Sequence, residues 1–378
     1  MAVALARKTL VHEWRRFLPA VMSVGFSGVL IIVQGALLLG IVGTNALPVT
    51  QSHADLWVGF PGTQSADLGR SIDAGAAAEL LVDPRVLRVE PLLLGSGDWR
   101  GPRGGGGVSV TLIGIDTRPD GLGLAKAMPR SGRALLTEPA TVLVDVADLD
   151  KLGTAIGGAA EINGQRVRVV GTTDGMRAMG GVNVVASIAT VRTLDRSLAA
   201  AGDVTYYLAA LRSPGAARAV KARFSQPETR KRFEVWTAED LAGRSVRYWL
   251  LESGAGVGFI FATIVALLVG TLITSQTLTA AVAASTPQYA TLRAIGVPFP
   301  KLRRIVVEQA AWVGAAGLAL GLAGSLLAAA LACVNGIPFA LGAGIMALSG
   351  GLVLSVALLA GVLALRRLRH ADPAALLR

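Results

Sequence analysis

The chain has 378 residues, of which 52% are hydrophobic and only 16% charged, a balance too apolar for a pair of soluble domains and suited to a membrane protein. Its single cysteine, Cys333, excludes a disulfide framework and any zinc site built on cysteine pairs. A net charge of +11 points either to nucleic acid or to an acidic membrane face, and the placement of the charge decides between them.

In chain order, residues 1–16 form a basic amphipathic segment with Arg7, Lys8, Arg15 and Arg16. Residues 17–43 are the first of four apolar runs long enough for a bilayer core, which asks for ~20 residues of helix. This run is too long for the core of a signal peptide and no small-x-small cleavage site comes after it, so it reads as a retained anchor.

Residues 44–253 have the composition of a globular domain. Short β-branched or alternating runs bounded by turn residues predict strands at 54–60, 86–94, 108–115 and 142–146. Residues 159–162 and 166–170 flank Asn163-Gly164, the signal of a tight hairpin. Further strands fall at 182–187 and 204–211, and 216–224 has helical spacing after Pro214. The whole predicts an α+β domain rich in antiparallel sheet. Thr237 and Asp240 have the spacing of a capping pair. From Ala238 onward two readings are open: a stalk helix continuous with the second apolar run, or two helices hinged at Gly254-Ala255-Gly256.

The second run covers residues 254–284. The loop 285–305 comes next, with Arg293, Lys301, Arg303 and Arg304. Pro287 suits the first turn of a short helix and Gly296 its end, with Tyr289, Leu292 and Ile295 on one side. A rigid helix in this position is what a membrane domain needs if a soluble motor is to push on it. The third run, 306–332, contains Glu308, the only charge in any of the four. Its Gly314, Gly317, Gly321 and Gly324 recur every three or four residues, as in a helix-packing or dimer seam, although so Ala- and Gly-rich a chain also yields such spacing by chance. An uncharged link, 333–344, joins it to the fourth run, 345–365. The tail 366–378 adds Arg366, Arg367, Arg369 and Arg378.

Twelve of the 36 Lys and Arg lie in the N-terminal segment, the 285–305 loop and the tail, against two acids, Glu13 and Asp372. These segments therefore hold +10 of the +11, and the basicity marks orientation. Both termini are expected in the cytoplasm of a multi-pass inner (plasma) membrane protein, with 44–253 and 333–344 outside. Arg244 and Arg247 run against this rule, but they adjoin a large domain, where charge bias has little authority. No basic stripe is left over for nucleic acid.

The sequence offers little chemistry. His12 and His370 are expected on one side and His53 on the other, so no histidine cluster forms. No lysine stands in a phosphate-loop context, Gly104–Gly107 reads as a turn, and no Gly-x-Ser-x-Gly elbow occurs. The near absence of charge in the spans argues against an ion-coupled transporter. Gln34 and Gln276 read as partners in helix-to-helix hydrogen bonds. No cofactor, metal site or catalytic residue is expected.

The segment Tyr289-Ala290-Thr291-Leu292-Arg293-Ala294-Ile295-Gly296, the basic Leu302-Arg303-Arg304-Ile305 and the glycine-rich third span resemble the permease subunits of ABC exporters. That family includes the macrolide-exporter, lipoprotein-releasing and cell-division permeases. Leu272-Ile273-Thr274-Ser275-Gln276-Thr277-Leu278 is most similar to the heterocyst-type exporter permeases, and Asp372-Pro373 followed by Ala and Leu resembles the family's ending. The resemblance implies a non-enzymatic fold of one plus three transmembrane helices around a large extracytoplasmic α+β domain. It also implies a separate cytoplasmic ATPase subunit engaged by Gln288, Tyr289, Ala290, Thr291, Leu292, Arg293, Ile295 and Gly296. A second copy of the chain, a periplasmic membrane-fusion adaptor and an outer-membrane channel complete the implied assembly. Gln288 stands where the family usually has an acid, which weakens any ion pair to the motor at that position. The output implied is export; the alternative, as in the cell-division permeases, is mechanical activation of a periplasmic hydrolase.

Overall fold

The structure, a computed structural model, describes residues 14–102, 107–177, 181–198, 202, 204–226, 232–284, 298–334, 337 and 339–368. The chain divides into two compact units, Met1–Gly40 with Gly254–Arg378, and Ile41–Ser253.

Among the described residues α1 (Trp14–Thr44) comes first and is followed by the single turn α2 (Leu47–Thr50). The second unit then runs through β1 (Leu56–Gly59), α3 (Gly75–Leu81), β2 (Val86–Arg100), β3 (Val108–Ile115), α4 (Arg130–Leu135), β4 (Thr141–Asp145), β5 (Ala159–Ile162) and β6 (Gln165–Thr173). It continues with β7 (Val182–Ser187), α5 (Ile188–Leu194), β8 (Tyr206–Leu211), α6 (Ala217–Arg223), β9 (Glu234–Thr237) and α7 (Ala238–Arg247). Among the described residues the helices that follow are α8 (Gly254–Ala284), α9 (Phe299–Val334) and α10 (Ala343–Leu368).

The second unit is α+β with mainly antiparallel pairing. Its strand order is β3-β7-β4-β6-β5-β2-β8-β1-β9, and a further pairing of β3 with β2 closes the first six strands into a barrel. Among the described residues, only β3–β7 and β4–β6 are parallel. The 15-residue β2 joins the two halves. Val86–Leu92 pair with β8 in the open sheet, and Leu93–Trp99 pair with β3 in the barrel. Strand alternation then sorts the side chains. Leu56, Val58, Val235 and Ala209 face α3 and α6, which contribute Ala76, Leu80 and Val220, with Phe224 directly after α6, and this core continues into the barrel as Leu93, Trp99, Leu112, Val144, Val169 and Val184. The opposite face carries Trp57, Trp236, Tyr206 and Leu208, covered by Val49, Leu241 and the segment holding Leu122, Leu124 and Met128.

Local chemistry fixes several boundaries. Asn163 (φ 50°) and Gly164 (φ 80°) take the two left-handed positions of a type I′ hairpin between β5 and β6. At α7, Thr237 Oγ1 accepts from Asp240 N (3.1 Å) and Asp240 Oδ2 accepts from Thr237 N (3.3 Å), a complete capping box. The helix does not continue as an unbroken stalk. α7 gives way to a π-turn at Tyr248–Glu252, and Ser253 is extended (ψ 145°), so α8 starts afresh at Gly254, the first residue of the glycine patch.

Among the described residues, three helices are long and apolar enough to cross a membrane, at Phe17–Thr44, Gly256–Thr277 and Arg304–Val334, and the apolar part of α10, Ala343–Leu359, is shorter. Phe17, Ala20, Val24, Ile31, Ala310, Val313, Val353 and Ala357 form the core of the first unit.

Candidate functional site

The eight residues expected from the sequence to engage an ATPase, Gln288 to Gly296 without Ala294, lie outside the described residues, as do 369–378 of the tail. The helices that flank them are described, and their contacts define how the bundle is built. On α1 and α8, the Ser23 and Thr274 hydroxyls are 3.3 Å apart, Ser27 packs against Gly270, and Gln34 Oε1 is 3.3 Å from Thr263 Oγ1. Advancing four and then seven residues on α1 retreats four and seven on α8, so the two helices are antiparallel in one register. Hydroxyls and an amide at this depth supply the interhelical hydrogen bonds that lipid cannot, each contributing about 0.6 kcal/mol.

α9 runs parallel to α1. A Cβ placed on Gly317 would lie 2.5 Å from Val24 Cγ1, one on Gly321 would lie 3.3 Å from Gly25 O, and one on Gly324 would lie 2.7 Å from Val29 Cγ2. Gly28 answers from α1, its added Cβ falling 3.5 Å from Gly321 Cα. Two backbones in such close approach gain dispersion contact that larger residues would forbid. Gly314 turns elsewhere, toward Ala357 of α10. The four glycines therefore serve two partners, three on α1 and one on α10. The sequence reading missed the α1 side of this seam, although Ser23, Gly25, Ser27 and Gly28 recur there at helical spacing.

α10 is antiparallel to α1, with Val353 near Gly28 and Ile345 near Gly35, and antiparallel to α9, with Ala357 near Gly314 and Gly350 near Leu318. Directions thus alternate along the chain. The start of α1, the end of α8, the start of α9 and the end of α10 share one end of the bundle.

The second unit holds the buried charges. Glu90 is fully buried. Its Oε2 accepts from Leu122 N (2.6 Å), while Arg88 and Arg118 approach Oε1 at 3.3 and 3.4 Å. Burial pushes its carboxyl above the usual glutamate range, and the Leu122 N–H, Arg88 and Arg118 oppose the shift. Arg133, also buried, donates to the carbonyls of Asp116 (2.8 Å) and Gly123. Together these groups fasten the segment 116–124, in which Leu124 holds a left-handed φ of 52°. Asp83 is the opposite case. Hydrogen bonds from Arg85 and then Arg223 hold its carboxyl well below the usual range although its side chain is fully buried. Both arrangements pin loops and neither has the geometry of a catalytic pair. Among the described residues, no three His, Cys, Asp or Glu side chains are grouped to hold a metal.

No curated protein matches the chain. Three solved structures are similar in part. The periplasmic region of MacB from Actinobacillus actinomycetemcomitans is 12% identical, covering 52% of this chain and 94% of that one at a TM-score of 0.35. The extracellular domain of the noncanonic ABC-type transporter YknZ from Gram-positive bacteria is 14% identical, covering 49% and 100%, with a TM-score of 0.34. A domain of a permease protein from Porphyromonas gingivalis is 13% identical, covering 50% and 89%, with a TM-score of 0.30. Residues 260–373 match a family model, the FtsX-like permease C-terminal. Similarity to a named family thus falls on the part of the chain that holds α8, α9 and α10, and that family is the FtsX-like permease C-terminal.

Proposed function

We propose that the chain is the permease subunit of an ABC exporter in the inner membrane, a non-catalytic element that carries motion from a separate ATPase to the domain 41–253. The observation that carries this reading is the FtsX-like match over the helices on either side of residues 285–297. Orientation has independent support. The N-terminal segment, the 285–305 loop and the tail adjoin the same end of the alternating bundle, and these are the three segments that hold +10 of the net charge. One end of the bundle is therefore the basic one, as cytoplasmic ends are, and α10 acts as the fourth span despite its shorter apolar stretch.

In this reading Tyr289, Leu292 and Ile295 present an apolar face to the ATPase, and Arg293 its charge. Two copies of the chain work with two ATPase chains, and a membrane-fusion adaptor with an outer-membrane channel carries the substrate onward. The likeness of Leu272–Leu278 to the heterocyst-type permeases favours export as the output.

The test is affinity purification of the full chain from its native membrane. The wild-type protein should bring down an ABC ATPase, whereas a variant carrying Tyr289→Asp and Leu292→Asp should insert normally and lose it. Undiminished recovery of the ATPase with that double variant would refute the assignment.

A further inference from the structure

The strand order leaves one side of the sheet open. Among the described residues the barrel has no edge, because β2 closes on β3. The outer side of the first half of β2 is guarded against a further strand by Pro91, which has no N–H, and by the irregular register between Val86 and Arg88. β9 lacks such guards and, among the described residues, pairs only with β1. Its Thr237 N–H is taken by Asp240 Oδ2, and the next residue, Ala238, donates to Asp55 O of the strand beyond (3.2 Å). Antiparallel alternation therefore points the Trp236 main chain at β1 and turns the N–H and C=O of Val235 outward.

That outward side opens on a cleft of about 380 Å³. One wall comes from α6 and the residues after it, with Phe224 and Ser225, and the other from α7, with Gly243, Arg244 and Arg247. Lys221 Nζ and Asp240 Oδ2, 2.8 Å apart, tie the walls together. Arg244 is held by Glu234 Oε1 at 3.2 Å and lies over the Trp236 ring. Arg247 is exposed and, among the described residues, has no ion pair. An added Cβ at Gly243 would meet nothing within 4 Å, so the α7 wall leaves room for a chain.

We propose that this cleft binds an extended acidic segment of a partner protein, which adds to β9 as a further strand. The alternation of a strand sets its pattern. Side chains on one face would meet Arg244 and Arg247, and those on the other would meet Phe224, whose ring shares a core with Val235. The fitting ligand alternates acidic and apolar residues, with its main chain supplying affinity and the arginine wall selecting the sign of charge. The inference goes beyond the permease reading and does not rest on it.

The experiment uses the full chain in uncharged detergent micelles and three synthetic octapeptides: alternating Glu and Val, the same peptide N-methylated at alternate residues, and alternating Lys and Val. The Glu/Val peptide should bind and slow amide exchange at Val235. N-methylation, which removes the main-chain donors, should weaken binding at least roughly tenfold. Arg247→Glu, an exposed change away from any core, should weaken the Glu/Val peptide by a similar factor and reverse the preference toward Lys/Val. Equal binding of the methylated and unmethylated peptides, or of the two charge types, overturns the proposal. Protection of Val235 that rises with protein concentration and no peptide also overturns it, because the occupant is then a second copy. The permease reading is tested on the other unit and survives any of these outcomes.

Discussion

Replacing Gly317 with alanine puts the packing of α1 against α9 to a quantitative test. The new Cβ would lie 2.5 Å from Val24 Cγ1 and 3.2 Å from the backbone nitrogen of Gly25, and Val24 is itself fully buried, so neither neighbour has room to retreat. Alanine improves helix propensity over glycine by about 1 kcal/mol. Overpacking of this kind costs about 1–3 kcal/mol. Gly351→Ala in α10 is the reference, since its Cβ meets nothing within 4 Å and it carries the propensity gain alone. The two variants should therefore differ by about 1–3 kcal/mol in unfolding of the full chain in mixed micelles. Adding Val24→Ala should relieve the clash and return most of that difference as a coupling energy in the double-mutant cycle. If Gly317→Ala proves as benign as Gly351→Ala, or the cycle shows no coupling, the close approach of these helices is wrong.

Two buried carboxylates should respond to pH in opposite directions. Asp83 is held below its unfolded value of about 3.9 by Arg85 and Arg223, so its contribution is complete above that value and disappears as pH falls below it. Asp83→Asn should cost about 2 kcal/mol at neutral pH and flatten the loss of stability on acidification, as read by denaturant unfolding. Glu90 is raised by burial, so the folded state holds its proton more tightly than the unfolded chain does, and its contribution grows as pH falls through that elevated value. Glu90→Gln should abolish that component, and an unchanged pH profile would show that the carboxyl is not desolvated. Thr237→Ala removes the acceptor for Asp240 N and should cost about 1 kcal/mol, with faster amide exchange in the first turn of α7.

Strands whose own residues alternate or are β-branched are legible in the sequence. The expected 108–115 and 182–187 coincide with β3 and β7, and Asn163-Gly164 marks its hairpin. Gly95-Ser96-Gly97 resembles a turn and so predicts that β2 ends near Leu94, yet the strand continues to Arg100. The reason is tertiary: an added Cβ would lie 2.9 Å from Asp195 at Gly95 and 2.7 Å from Ile162 at Gly97, so these glycines admit neighbours and do not break the strand. The short α3, α4 and α5 and the four-residue β9 leave no sequence signal, since each is too brief to show a period and owes its conformation to what it packs against. Barrel closure is equally hidden, because no local signal says that β2 will pair with one strand in its first half and another in its second.

The two chain segments that join the helical unit to residues 41–253 are unlike each other. α1 stays helical across the boundary, through Gly40 and on to Thr44, whereas the return path interrupts its hydrogen-bond ladder with a π-turn and then a single extended residue, Ser253. Ser253 thus separates two helix termini, the end of the π-turn after α7 and the start of α8, each with main-chain groups that need partners of their own.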